Sequence, residues 1–306
     1  MKEHRSATGK FAKGLMYGLA AALIWGGFPV MTRLGVHQPG LGQDDITFIR
    51  YAVSGLILMP FLRPSLLRQF SWQAIGIVVA GIGFPYMLVV SSGLKGAPVE
   101  VFALITPGGM ICFSLLMSRL ILKTAFTRES IIGITLIIAG AFSVYLTQHM
   151  ESRTDTCHSC MGYFVLGAFL WACYTVATRK YAFTAFQLTV IVSVISMLIY
   201  GPFYLHEHGM KILSLDTSTL LWQAFYQGVL VSILALFFYS KSVQLLGSVA
   251  GATFAALVPV FSTLMADLLL GEHVPMTSWA ALLVITTGML IVVFGPVLRQ
   301  YLRSPP

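Results

Sequence analysis

Charged side chains are scarce in this sequence: Asp, Glu, Lys and Arg make up only 10% of its 306 residues, whereas 57% are apolar. A globular domain needs about 25% charged residues to cover its surface, so a soluble domain is excluded. Asparagine is absent altogether, and with it any acceptor for N-linked glycosylation. The sequence contains no glycine-rich phosphate-binding loop and no recognisable nucleophile with its base, so it indicates neither ATP hydrolysis nor a cofactor. The medium around most of the chain is therefore lipid.

Long apolar runs predict an all-α integral membrane protein, because the runs are too long for barrel strands and a lipid-exposed backbone must satisfy its own hydrogen bonds. The basic stretch before the first run resembles a signal peptide, but that run is too long and lacks a cleavage pattern, so we expect it to be retained. The sequence predicts ten transmembrane helices, at 14–34, 46–62, 72–93, 98–121, 130–147, 161–178, 184–205, 219–242, 248–270 and 276–298.

The net charge of +8 has an uneven distribution over the predicted loops. Fourteen Lys and Arg residues fall on the side of the N-terminus, and four fall on the other side: Arg33, Lys95, Arg153 and Lys211. Because basic residues concentrate in cytoplasmic loops, both termini are predicted in the cytoplasm. These charges act as orientation signals, so the basic balance does not indicate a nucleic-acid partner. The absence of asparagine favours a bacterial inner membrane.

The chain repeats itself. Residues of the first predicted span recur 146 positions later in the sixth, where Trp25, Phe28, Thr32 and Arg33 become Trp171, Tyr174, Thr178 and Arg179. Four further matches follow in order, ending with Gly140 and Gly288. We predict a first repeat at 1–148, an outer linker at 149–160 and a second repeat at 161–306. Five spans is an odd number, so consecutive repeats enter the membrane from opposite sides, an arrangement typical of secondary transporters.

Five parts of the sequence carry a family resemblance. Residues 20–27, Arg50 early in the second span, and the segments 247–250, 257–260 and 270–272 resemble the ten-span EamA branch of the drug/metabolite transporter superfamily. The resemblance implies a basket-like bundle in which spans one to four and six to nine surround a central cavity. The sequence departs from the family in one respect: the Gly-Glu motif appears as Gly271-Glu272 but not in the first half, which has Arg119 to Lys123 there.

The resemblance also implies a function. Family members export amino acids and other metabolites, and relatives carry nucleotide sugars or sugar phosphates; this chain is most similar to bacterial aromatic amino-acid exporters. We therefore expect a secondary transporter that exports amino acids, with an amino-acid substrate and the lipid bilayer as its partners. Two alternatives stay open: exchange of a nucleotide sugar or sugar phosphate, and an intramembrane lipid-modifying enzyme. Proton or other ion coupling and the oligomeric state are also left open.

A substrate site is predicted at the bilayer midplane, where alternating access requires it. Trp25 and Phe28 share one helix face, as do Trp171 and Tyr174, and the repeat would place these faces opposite each other. Such faces either line an amphipathic cavity for aromatic substrates or are ordinary helix packing. Helix breaks that free backbone groups are predicted around Phe84, Pro85 and Tyr86, and at Thr106 to Gly109. The predicted binding residues are Trp25, Phe28, Arg50, Phe84, Tyr86, Thr106, Trp171, Tyr174 and Gln227.

The polar residues within spans allow two interpretations each. Arg50 either neutralises a substrate carboxylate or pairs with Asp44, Asp45 or Glu100 near the outer surface. Gln227 shares a helix face with Gln223 and makes either an interhelical hydrogen bond or a ligand contact. Glu100 and Asp267 are either solvated helix ends or sites of proton uptake.

The segment Cys157-His158-Ser159-Cys160 has the spacing of a redox or metal motif, but it offers too few ligands for zinc. We predict no metal site, and expect either a disulfide or free thiols in the outer linker.

Overall fold

The computed structural model describes residues 2–150, 158–246 and 248–303, and within these ranges the regular structure is entirely helical. Two segments have π-helical geometry, Ala224–Leu234 and Ala266–Leu270, and two short ones are 3₁₀ turns, Met59–Phe61 and Lys211–Ser214. The α-helices are α1 (Lys2–Val36), α2 (Gln43–Leu58), α3 (Pro64–Leu67), α4 (Trp72–Ile82), α5 (Phe84–Gly96), α6 (Val99–Ile121), α7 (Arg128–Met150), α8 (His158–Lys180), α9 (Ala185–His208), α10 (Thr217–Gln223), α11 (Ala235–Leu246), α12 (Ser248–Met265) and α13 (Met276–Arg303).

Eight helical stretches in the described part of the chain are long and apolar enough to cross a membrane. They correspond to eight of the ten predicted spans. The second predicted span is only a 16-residue helix, α2, which carries Asp44, Asp45 and Arg50. The ninth is a shorter apolar helix over Phe254–Leu270. The all-helical prediction is thus confirmed for the described residues, with eight candidate membrane spans; ten crossings stay a prediction.

The two predicted helix breaks have different outcomes. The third span is interrupted: α4 ends at Ile82 and α5 begins at Phe84, with Gly83 in extended geometry between them. Pro85 lies in the first turn of α5, where its missing N–H costs nothing. The predicted break at Thr106 to Gly109 is wrong, because α6 continues through Pro107. Close packing against α8 supports the helix here, and the Thr106 hydroxyl donates to the Phe164 carbonyl at 3.2 Å.

Glycines allow the closest helix pairs to approach. A Cβ on Gly288 of α13 would lie 2.7 Å from the carbonyl oxygen of Gly133 in α7, and one on Gly26 of α1 would lie 2.6 Å from the Phe261 Cβ in α12. Small residues at helix interfaces are how helices associate in lipid, where apolar burial alone gives little driving force.

Side-chain contacts define two opposite ends of the bundle. At the first, called the Arg33 end, buried Asp45 of α2 accepts hydrogen bonds from Lys211 at 2.9 Å and from Tyr204. At the second, called the Phe183 end, the ring of Phe183 stacks on Phe70 with centroids 3.8 Å apart. The candidate site lies between these two ends.

Candidate functional site

Arg50 of α2 lies at the centre of a cluster formed by side chains from four helical segments. Its guanidinium lies over the Phe28 ring of α1, 5.0 Å from the centroid, and 5.7 Å from the Tyr51 ring centroid. One Nη1 hydrogen bond, 3.4 Å long, goes to Oε1 of Gln227, and the same nitrogen is 4.0 Å from the Met87 sulfur of α5. Arg50 thus contacts Phe28 and Gln227, two other predicted binding residues.

The charge of Arg50 has no carboxylate partner among the described residues. Its Nε is buried and makes no hydrogen bond. Two of the acids that the sequence offered are engaged elsewhere, because Asp45 binds Lys211 and Asp44 accepts from Tyr200 at 3.2 Å. A cation inside a membrane bundle is costly without a counter-charge, so this guanidinium is suited to binding an anion.

Two glutamines form hydrogen bonds between α1 and the start of the π-helical region. Gln223 is 3% exposed and donates to the Met31 carbonyl at 3.0 Å, while Gln227 is fully buried and donates to the Thr32 hydroxyl at 3.0 Å. Gln227 therefore makes the interhelical hydrogen bond that the sequence suggested, and its oxygen also holds Arg50. The π segment begins at Ala224, between the two glutamines, and π-helical turns occur frequently at functional sites.

The predicted aromatic residues join one hydrophobic core but do not face each other in pairs. Trp25 packs on Tyr239, with ring centroids 5.3 Å apart, whereas Trp171 meets the edge of Tyr86 at 6.1 Å. Trp25, Trp171, Tyr174 and Tyr239 are half-buried, but Phe28 and Tyr86 are buried. By their positions along their helices, the half-buried rings lie on the side of the cluster nearer the Phe183 end.

Thr106 and Phe84 are placed beside the cluster rather than in it. The Thr106 hydroxyl is occupied by its bond to Phe164, and Thr106 is fully buried. Phe84 stacks on Tyr200 at 5.3 Å, and its backbone N–H donates to the Ser196 hydroxyl at 3.2 Å. Both residues position helices around the site.

Sequence reasoning missed Tyr51 and Met87, which contact Arg50, and Tyr239, which contacts Trp25. Tyr51 follows Arg50 and Met87 follows Tyr86, so a search of the neighbours of predicted site residues would have found both. Tyr239 carried no comparable signal, because it lies beyond the π segment and its face cannot be obtained from α-helical spacing.

A second polar constellation closes the Arg33 end. Arg33 forms an ion pair with Glu272 and also donates to the carbonyls of Leu94, at 2.8 Å, and Ala97. Glu272 in turn accepts from the Val99 N–H at 3.0 Å. These contacts join the end of α1 to the α5–α6 connection and to the loop before α13. Partial desolvation, together with the positive charge of Arg33, lowers the pKa of the adjacent His37.

A cleft of about 280 Å³ lies at this end, lined by Arg33, Pro98, Glu100, Glu272 and His273.

Replacing Glu272 with glutamine should loosen the Arg33 end. The change removes the charge from a partly buried pair, which we expect to cost about 1 kcal/mol, or about fivefold in the opening equilibrium. The readout is the labelling rate of a cysteine introduced at Leu94, a residue that is 0% exposed, in a protein with Cys112 and Cys173 changed to serine. The matched control is Glu207→Gln, at an exposed glutamate. Equal labelling rates in the two variants would contradict a closing role for the pair.

The cysteine motif falls largely outside the described residues, which omit Cys157 and the side chains of His158 and Ser159. Cys160 is disulfide-bonded, and Cys112 and Cys173 are free. Among the residues that the structure describes, no group of three His, Cys, Asp or Glu side chains is arranged to hold a metal ion.

Comparison with known proteins adds three findings. Residues 12–146 and 158–294 each match the model of the EamA-like transporter family, so the two matched stretches begin 146 residues apart. A Salmonella typhimurium protein named as the uncharacterized inner membrane transporter YicL is 24% identical in an alignment of 301 positions that covers 93% of this chain and 96% of that protein. A crystal structure, described only as that of a protein, superimposes with a TM-score of 0.62 at 18% identity, covering 96% of this chain and 99% of the other; the likeness concerns the fold.

Proposed function

This chain belongs to the EamA-like transporter family, and from that premise we propose that it exports amino acids with aromatic or other large neutral side chains. Membership makes it a membrane transporter of a small-molecule substrate and not an enzyme, which removes the lipid-modifying alternative. The name of its Salmonella relative and its apolar helices agree with a multi-pass protein of an inner membrane.

The proposed architecture is ten crossings in two inverted repeats, 1–148 and 161–306, with both termini in the cytoplasm. Two family matches of similar length support the repeat. Backbone geometry supports it too: Lys123 has φ 54° after α6, and Gly271 has φ 64° 148 residues later, the same separation as Gly140 and Gly288. The disulfide at Cys160 favours an oxidising compartment for the linker, as this topology requires.

One observation carries the substrate proposal: an unpaired guanidinium lies against aromatic rings in the interior of the bundle. A carboxylate can form charge-assisted hydrogen bonds with Arg50, and an aromatic side chain can pack against the surrounding rings. A nucleotide sugar or sugar phosphate would need several cations for its phosphates. Among the described residues, only Arg50 supplies a charge to this cluster, which favours a carboxylate.

Alternating access would open the cluster to one side at a time. In the described conformation, Arg33 and Glu272 close one end, while the half-buried aromatic residues lie towards the other. The proposed topology makes that other side the cytoplasm, from which an exporter loads its substrate. Ion coupling is a separate proposal, for which Glu100 is a candidate because it is 2% exposed and lines the cleft.

The proposal is tested by reconstituting the purified protein into liposomes and measuring the flux of labelled phenylalanine across their membrane. We expect saturable flux that excess unlabelled tryptophan inhibits and excess sugar phosphate does not. Protein-free liposomes, and liposomes containing an unrelated membrane protein, provide the background. Flux no greater than this background would contradict the proposal, and inhibition by the sugar phosphate alone would favour the exchanger.

A further inference from the structure

Arg50 differs from Arg33 and Asp45, two other charged residues whose ion pairs are described. Arg33 is neutralised by Glu272, and Asp45 by Lys211. The groups that contact Arg50 are the rings of Phe28 and Tyr51, the Met87 sulfur and the Gln227 carbonyl oxygen, all of them neutral. Gln227 is fixed in turn by the neutral hydroxyl of Thr32. None of the groups in contact with Arg50 therefore offsets its positive charge. The residues of this Arg50 cluster form the proposed binding pocket.

We infer that this pocket prefers an aromatic or large apolar monocarboxylate without an α-amino group over the corresponding zwitterionic amino acid. The inference rests on one part of the proposed function, that Arg50 binds the carboxylate of the substrate, and it goes beyond that function in the class of substrate that binds most tightly. A carboxylate alone offsets the charge of Arg50. An amino acid adds an ammonium group on the carbon next to its carboxylate, so a second cation must lie close to the guanidinium.

An ammonium group in this position would need an acceptor with negative charge. The polar groups next to Arg50 are already committed, since the Gln227 amide bonds Thr32 and the Thr32 hydroxyl donates to the Phe28 carbonyl at 2.8 Å. The carboxylate of Asp45 is held by Lys211 and Tyr204. Aromatic rings can attract an ammonium, but the same rings attract the guanidinium, and the two cations would compete for them. Burial makes each uncompensated charge more costly.

The buried Nε of Arg50 is a hydrogen-bond donor that an anion can use. A guanidinium offers its donors in a planar fork that matches a carboxylate. Nη1 is used by Gln227, whereas Nε has no partner. An incoming carboxylate can therefore bind the Nε side of the guanidinium without breaking the hydrogen bond from Nη1 to Gln227 that orients Arg50.

The test measures binding of three ligands to the purified full-length protein by isothermal titration at pH 7. 3-Phenylpropionate, phenylalanine and phenethylamine share a phenyl group and a short chain, and they carry the carboxylate alone, both groups, or the amine alone. We expect 3-phenylpropionate to bind at least tenfold more tightly than phenylalanine, and phenethylamine not to bind. In Arg50→Gln, the two carboxylates should bind weakly and within about twofold of each other, whereas Arg50→Lys should keep the preference.

Equal or tighter binding of phenylalanine would overturn the inference. If saturable phenylalanine flux is still observed, the proposed function stands and only the preference is wrong. If there is neither phenylalanine flux nor binding of any of the three ligands, both the proposed function and this inference fail.

Discussion

Replacing Arg50 with glutamine is expected to raise the half-saturation concentration for phenylalanine flux about 10- to 100-fold. Hydrogen bonds to charged groups contribute about 1.5–3 kcal/mol, and every 1.4 kcal/mol corresponds to a tenfold change in affinity. Glutamine keeps a polar side chain but cannot offer the charge or the fork of the guanidinium. The measurement is the concentration dependence of labelled phenylalanine flux in liposomes.

Two variants separate the role of Arg50 in binding from a role in folding. Arg63→Gln removes one arginine charge from an exposed position and should leave the flux unchanged. Arg50→Lys keeps the positive charge, and we expect an intermediate half-saturation concentration. The fold of Arg50→Gln is checked by comparing its elution profile and thermal transition with those of the parent protein. If the variant is folded and its flux curve is unchanged, Arg50 does not bind substrate.

Much of the fold could be predicted because lipid imposes strict rules on the sequence. A membrane helix must be long and apolar, so it can be recognised from the composition of a single segment, as in α4–α5 and α9. The rule fails where a helix is covered by protein. α2 is short and carries Asp45, whose buried carboxylate is compensated by Lys211 of a distant segment.

Local backbone geometry was less predictable, because the same residue types give different results in different surroundings. Gly83 and Pro85 separate α4 from α5, while Pro107 and Gly108 are accommodated inside the continuous helix α6. Long-range hydrogen bonds differ at the two places: at the break the Phe84 N–H donates to the Ser196 hydroxyl, whereas in α6 the Thr106 hydroxyl donates to the Phe164 carbonyl of α8. No pattern within α6 records this contact.

Contacts of the polar residues were predicted better than contacts of the aromatic residues, while the role of either set in binding stays a prediction. Gln223 and Gln227 are four residues apart, which places them on one face, and both bond to α1. The two tryptophans were expected to face each other, but each contacts a different aromatic residue. A π-helical turn takes in one more residue than an α turn, so positions after Leu234, including Tyr239, rotate away from their α-helical faces.

Replacing Gly81 with leucine should separate α4 from α8 and destabilise the protein by about 1–3 kcal/mol or more, the usual cost of overpacking. A Cβ at this position would lie 2.6 Å from the Tyr174 Cβ, 2.7 Å from the Leu170 carbonyl oxygen and 2.9 Å from the Tyr174 nitrogen. Two of these atoms are backbone, so a side-chain rotation cannot relieve the clash. Because Tyr174 is part of the predicted site, phenylalanine flux should fall together with the thermal transition temperature.

Gly76 gives a matched control within the same helix. A Cβ there would have nothing within 4 Å, so Gly76→Leu adds the same side chain to α4 without a clash. Leucine also has a higher helix propensity than glycine, so this variant should be at least as stable as the parent protein. Thermal unfolding of the two purified variants, followed by tryptophan fluorescence, makes the comparison. Equal transition temperatures for Gly76→Leu and Gly81→Leu would mean that α4 and α8 do not pack through Gly81, and the position assigned to Tyr174 would then be wrong as well.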